Sequence, residues 1–206
     1  MGNTTTAGPL GGNKVDKKGP AVACGTAPSF LLNESPANVT GTAVDGGAGP
    51  ASQAVSAAAD TSSVGASKKV APQASDAVGN AGSADCAYSV RYTFGGFLQP
   101  VDTKTLNGMK AGLTAPIKWQ LTDANGTPVS SLASVTGASS GVMSCAASAL
   151  VDPLEEYATG ATSLRYDATS RQFIYNWQSP KKAGTCYVVK LAFADGTTQS
   201  ATFQLK

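Results

Sequence analysis

Histidine is absent from all 206 residues. That absence excludes Ser-His-Asp and Cys-His catalysis, histidine general bases and histidine metal ligands together. Charge is scarce as well: 14% of residues are charged, and the formal net charge is +2. Lys and Arg are scattered, with Lys17-Lys18, Lys68-Lys69 and Lys181-Lys182 the only doublets. The sequence therefore predicts no nucleic-acid or other polyanionic partner. No apolar run reaches the ~18 residues of a membrane helix, so no membrane insertion is expected. A signal peptide is missing too, because Met1-Gly2-Asn3-Thr4-Thr5-Thr6 is polar and uncharged. There is no Cys-x-x-Cys pair, which argues against a zinc ribbon or a thioredoxin-like site. Gly95-Gly96 is followed by neither a helix nor Lys-Ser/Thr, so it reads as a bulge or bend and not as a phosphate loop.

What the chain does have is small residues, turn signals and short alternating runs. Leu113-Thr114-Ala115-Pro116-Ile117-Lys118-Trp119-Gln120-Leu121 has a period of two, with Ile117, Trp119 and Leu121 on one face of a strand. The turn signal Asp123-Ala124-Asn125-Gly126 follows it. Ser163–Asp167 and Gln172–Trp177 flank a tight turn, and Tyr187–Phe193 and Gln199–Leu205 flank Asp195-Gly196. Both read as hairpins. In the first half, short strands are expected around Ala21–Cys24, Phe30–Leu32, Asn38–Asp45, Gln53–Ala57, Lys68–Ala74 and Asp85–Val90, with a turn at Ser75–Asn80. Pro72 suits an edge or a bulge. This spacing is that of an all-β sandwich. Residues 1–19, rich in Gly, Thr and Lys, read as a flexible leader, with 20–90 and 91–206 as two domains.

The four cysteines are Cys24, Cys86, Cys145 and Cys186. An even number at wide spacing suits two disulfides formed in an oxidising compartment. Three pairings are possible; Cys24–Cys86 with Cys145–Cys186 is favoured, because each then closes within one domain. Each closure stabilises by roughly 3–4 kcal/mol on the chain-entropy account. Disulfides without a signal peptide imply either that Met1 starts inside a longer secreted polypeptide or that the protein leaves the cell another way, such as phage lysis.

Two resemblances extend this reading. Pro20-Ala21-Val22-Ala23-Cys24, Ser75-Asp76-Ala77-Val78-Gly79-Asn80 and Cys86-Ala87-Tyr88-Ser89-Val90 resemble the bacterial immunoglobulin-like and hyalin-type repeats of extracellular proteins. That resemblance implies that Asp-x-x-Gly-Asn makes the turn before the last strand and that the cysteines join the first and last strands. Gly2-Asn3-Thr4-Thr5-Thr6 is similar to the same turn in an upstream repeat. Pro116-Ile117-Lys118-Trp119 resembles the naming motif of the PxKF domain of bacterial surface and secreted proteins, with Trp where Phe is usual. Phe94-Gly95-Gly96-Phe97, Gln99-Pro100-Val101-Asp102, Lys110-Ala111-Gly112 and Ala183-Gly184-Thr185-Cys186 support it. The implied architecture is two tandem immunoglobulin-like β-sandwich domains, each with one intradomain disulfide, and no enzymatic activity.

Several residues are candidates for chemistry. Asp45, Asp60, Asp76 and Asp85 in the first domain, and Asp152, Glu155 and Glu156 in the second, are oxygen donors of the kind calcium takes. Solvated loop carboxylates are the plainer reading, and no cofactor is expected. Lys118 is a candidate for an amide bond to Asn176, against the plainer reading of an outward lysine on the polar face. Tyr157, Tyr166 and Trp177 would form a glycan- or protein-binding surface if exposed, although Phe173, Tyr175 and Trp177 share the face expected to be core. Asn3, Asn33, Asn38 and Asn125 lie in Asn-x-Ser/Thr triplets. The functional expectation is a non-catalytic extracellular spacer or adhesion module whose partners are neighbouring immunoglobulin-like domains or like subunits. The alternatives are a carbohydrate- or protein-binding module, and a structural or decoration protein of a phage particle.

Overall fold

The computed structural model describes residues 16–145 and 164–206. Tyr157, Asp152, Glu155 and Glu156 lie outside them. The described chain is all-β. Its strands are β1 (Ala21–Cys24), β2 (Ser29–Leu31), β3 (Asn38–Val44), β4 (Ala54–Ala58), β5 (Gly65–Val70), β6 (Gln73–Ser75), β7 (Ala81–Ser83) and β8 (Cys86–Arg91). They continue as β9 (Thr93–Leu98), β10 (Asn107–Met109), β11 (Thr114–Thr122), β12 (Val135–Met143), β13 (Leu164–Asp167), β14 (Gln172–Gln178), β15 (Cys186–Phe193) and β16 (Thr198–Leu205). The helical content among the described residues is one 3-10 turn, Leu132–Ser134.

The chain forms two compact units. Within the described residues, unit 1 holds 16–26, Asn38–Ala57 and Val70–Cys86, and unit 2 holds Ala27–Ala37, Ala58–Lys69, 87–145 and 164–206. The boundary expected between residues 90 and 91 falls inside unit 2, within β8. In unit 1, β3 pairs antiparallel with β1 in a sheet ordered β1-β3-β4, and β6 and β7 form a short hairpin. β3 alternates strictly, burying Val39, Gly41 and Ala43 and exposing Asn38, Thr40, Thr42 and Val44, as a strand with one solvated face must. The residues packed together there are small: Ala43, Val55 and Ala74, with Val22 half-buried against them. Gly41 is required by close approach, because a Cβ there would lie 2.6 Å from the Ala23 carbonyl oxygen. The Cys24–Cys86 disulfide ties β1 to the first residue of β8.

In unit 2, β8 is the centre of a sheet ordered β2-β8-β5, with β2 parallel to it. The rest of the unit is a sandwich of two four-stranded sheets, β13-β14-β11-β9 and β10-β16-β15-β12. Their inward faces share one core that contains Ile117, Trp119, Leu121, Phe173, Tyr175, Trp177, Val189, Leu191, Phe203 and Leu205. Trp119 stacks on Phe173 at 5.5 Å, and Trp177 lies 4.8 Å from Phe203. The register of β11 with β9 shifts between Trp119 and Leu121, and Gly96 sits on β9 with φ +104, so the Gly-Gly pair does mark a bulged region. Cys145–Cys186 joins the second residue after β12's end to the start of β15. β12 is largely Thr, Gly, Ala and Ser and shows no apolar alternation; pairing along β15 sets it.

Candidate functional site

Two aspartates, both buried, organise one region of unit 2. Asp123 and Asp195 each begin a tight turn, where a short acceptor side chain satisfies the turn's own N–H groups. Asp123 Oδ1 accepts from the Asn125 and Thr127 amides at 2.9 and 2.8 Å. Asp195 Oδ1 accepts from the Thr197 amide and hydroxyl at 2.8 and 2.7 Å. In each case the second oxygen reaches outside the turn. Asp123 Oδ2 accepts from Asn33 Nδ2 at 2.9 Å, just past the end of β2. Asp195 Oδ2 accepts at 2.9 Å from the amide of Tyr92, the single residue between β8 and β9.

Backbone contacts complete this joint between the β2-β8-β5 sheet and the hairpin turns of the C-terminal sandwich. Ala124 donates to the Leu32 carbonyl at 2.8 Å, and Asn33 donates to the Thr61 carbonyl at 2.8 Å. Asn33 adopts φ +59, a left-handed conformation that asparagine tolerates better than most residues. At Gly196, with φ +81, a side chain would bring a Cβ to 2.7 Å from the Ala66 methyl. Asp123 and Asp195 are 6% and 2% exposed, so these are bonds shielded from water. The Asn33 side-chain bond, helped by the turn amides, holds the Asp123 carboxyl below its ordinary value against the upward push of burial. Burial, reinforced by the Asp195 charge, pushes the Tyr92 phenol up.

A second group lies in unit 1. Asp16, Asp45 and Asp76 bring one carboxylate oxygen each to within 4.8 Å of one another. Two of the four first-domain carboxylates singled out from the sequence, Asp45 and Asp76, thus meet; Asp60 instead binds Lys68 at 3.3 Å, and Asp85 is not in the group. Asp16 also joins the group, although it lies in the stretch whose composition marks it as leader. The three already have work as acceptors. Asp16 takes the Ala48 amide at 2.7 Å, Asp45 takes the Gly49 amide at 2.9 Å, and Asp76 takes the Val78 and Asn80 amides and the Asn80 side chain. Burial raises the Asp76 carboxyl, but the Asn80 bonds and the Val78 amide outweigh it and lower the value. The donor chemistry suits a hard cation, and the count of three carboxylates is short of the six to eight oxygens that calcium takes.

Trp177 is 1% exposed and packs against Phe203 and Tyr187. It presents no ring to a ligand, because the strand alternation that aligns it with Phe173 and Tyr175 points it into the core. Tyr166 is half-buried and meets Phe173 edge-on at 5.0 Å. Pro116, Ile117, Lys118 and Trp119 all lie on β11, with Ile117 and Trp119 fully buried and Pro116 and Lys118 half-buried on the outer face. Pro116 is opposite Asn176 and Lys118 is opposite Ile174, so Lys118 and Asn176 are diagonal neighbours and not a facing pair. The indole N–H of Trp119 has no hydrogen-bond partner among the described residues.

Both disulfides fit an oxidising environment. Among the described residues no helix is long and apolar enough to cross a membrane. No family model and no curated protein matches the chain. Among solved structures, the chain is similar to a chimeric titin Z1Z2 tandem at 12% identity and TM-score 0.31, covering 91% of this chain and 99% of that one. It is similar to the fibronectin(III)-like modules of CbhA from Clostridium thermocellum at 11% identity and TM-score 0.30, covering 90% and 94%. It is also similar to domains 4 and 5 of the S-layer protein SbsC at 9% identity and TM-score 0.27, covering 90% and 96%. At these scores the sandwich assignment rests on strand order, core and disulfides and not on the likenesses.

Proposed function

We propose that this chain is a non-catalytic extracellular module, of the immunoglobulin-like kind followed by a PxKF-type sandwich, that works as a spacer or adhesion stalk. The observation that supports this most is the joint. A spacer transmits orientation only if its successive sheets cannot swivel, and here one intervening residue, two buried aspartates and one left-handed asparagine clamp the β2-β8-β5 sheet to the next sandwich. The absence of histidine from the whole sequence agrees with a non-catalytic role. The partners of such a module are neighbouring immunoglobulin-like domains or like subunits, in a bacterial secreted or surface setting. Small-angle scattering of the intact chain tests this. A scattering profile unchanged from low to high salt is expected, with a broader distance distribution in Asp195→Ala; a wild-type profile as broad as the variant's would overturn the spacer reading.

The alternative of a binding module loses Trp177 as a platform and keeps Tyr166 only in part. Glycan-array binding by the intact chain would restore it. The expectation of calcium passes to the Asp16–Asp45–Asp76 group. A calcium-dependent rise in melting temperature that Asp45→Asn abolishes would support it, and an unchanged melting temperature would remove it.

A further inference from the structure

The sequence contains two Asn-Gly pairs, Asn107-Gly108 and Asn125-Gly126, and the fold treats them differently. Asn107 is half-buried on β10, and its side-chain amide donates to the carbonyls of Asp102, Thr105 and Thr202 at 2.9, 3.2 and 3.1 Å. Gly108 is held in register with Gln204 of β16. Asn125 and Gly126 are both exposed in the β11–β12 connection, and a Cβ placed on Gly126 would meet nothing within 4 Å. No hydrogen bond to the Asn125 side-chain amide is found among the described residues. The Gly126 amide makes one bond, at 3.1 Å to the Asp123 carbonyl.

We propose that Asn125-Gly126 is a site of spontaneous backbone-assisted deamidation, and that the fold protects Asn107-Gly108 from the same reaction. Hydroxide takes the Gly126 amide proton, and the backbone nitrogen attacks Cγ of Asn125. The bond from Cγ to the side-chain nitrogen breaks as water gives that nitrogen a proton, so ammonia leaves, hydroxide is regenerated and the five-membered imide remains. Water then adds to either imide carbonyl and reopens the ring as aspartate or isoaspartate. Glycine favours the step because no side chain obstructs the approach of its nitrogen. At Asn107 the closure would first have to break three side-chain bonds and a strand pairing.

The product matters because of where it forms. Asn125 donates its own amide to Asp123, the residue that holds Asn33 across the joint. Deamidation places a new carboxylate beside that of Asp123, and the isoaspartate form also lengthens the backbone between the Asn125 and Thr127 amides that Asp123 binds.

The intact, disulfide-bonded chain is incubated in mildly alkaline buffer at growth temperature and mapped by peptide mass spectrometry, with isoaspartate scored separately. Asn125 is expected to convert at least about tenfold faster than Asn107, the ratio that the loss of one ordinary hydrogen bond would set. In denaturant with reductant the ratio should fall towards one. Asn125→Gln should remove conversion at that peptide and leave Asn107 unchanged. Equal rates in the folded chain, or no conversion at Asn125 where the unfolded chain converts, would overturn the proposal.

Discussion

The C-terminal sandwich of unit 2 and the small sheet of unit 1 reach order by different means. In the sandwich, Trp119, Trp177, Phe173, Phe203, Ile117, Leu121 and Leu191 are each less than 2% exposed and fill one continuous core. In unit 1 the corresponding cluster is Ala43, Val55 and Ala74. Side chains of that size remove little apolar area from water, and stabilisation by burial scales with area. Both units carry a disulfide and aspartates that accept turn amides, and unit 1, with its smaller core, depends on them for a larger share of its order. In a chain rich in small residues, order follows the polar caps and the disulfides as much as the apolar pattern.

The largest test removes the covalent tie. Cys24→Ala with Cys86→Ala opens a closure spanning 62 residues, worth about 4 kcal/mol on the chain-entropy account. Hydrogen exchange should show unit 1 amides losing protection while those of β11, β14 and β15 keep it. The converse is Phe173→Ala, which should cost the sandwich about 3–5 kcal/mol, whereas Val55→Ala in unit 1 should cost less than half as much by denaturant titration. If Val55→Ala matched Phe173→Ala, the contrast between the two regions would fail.

Next in size is the joint. Asp195→Ala strips the acceptor from three donors, among them the Tyr92 amide, and is expected to cost about 2–3 kcal/mol. Asn33→Ala should act in the same direction by less, since it breaks one bond to Asp123.

Acid should loosen the capped turns in both regions. The carboxyls of Asp76, Asp123 and Asp167 lie below the ordinary value of 3.8, and that of Asp60 is lowered to about 2, first by the Ser62 hydroxyl and then by the Ser62 amide and Lys68. For Asp167 the Ser170 hydroxyl is the main cause. A carboxyl whose folded value is depressed contributes its full stability above the unfolded value and loses it as pH falls through the folded one. Stability is therefore expected to hold down to about pH 4 and to fall between there and about pH 2, as followed by melting temperature. A fall already complete at pH 5 would contradict this.

The smallest effect belongs to Trp119→Phe. The ring's lost area destabilises, while removing a buried N–H that has no partner among the described residues relieves a cost of comparable size. A net change within about 1 kcal/mol is expected in the denaturant midpoint, far below that of Phe173→Ala.

Much of this architecture was legible because a period of two is hard to mistake when large side chains mark it. Ile117, Trp119 and Leu121 announced β11, and the Asp195-Gly196 turn announced the β15–β16 hairpin. The cysteine pairing followed from closure within each proposed domain. β12 left no comparable mark, since its Thr, Gly, Ala and Ser residues carry no periodic signal. β10 was not foreseen, because three residues pairing parallel to β16 leave no pattern of their own. Asp123 and Asp195 were legible as turn residues, but each has a second carboxylate oxygen whose partner, Asn33 or the Tyr92 amide, lies about ninety or more positions away. Asp16 was hidden for the same reason: its meeting with Asp45 and Asp76 is made by the fold and not by spacing.

The joint itself is tested most directly by a distance measurement. Spin labels at Lys69→Cys and Gln120→Cys, both exposed and both in unit 2, report on the β5 end of the clamped sheet and on β11 of the sandwich. The account predicts one narrow distance distribution in the otherwise native chain, broadened when Asp195→Ala and Asn33→Ala are added. A distribution in the native chain as broad as in the variant would contradict it.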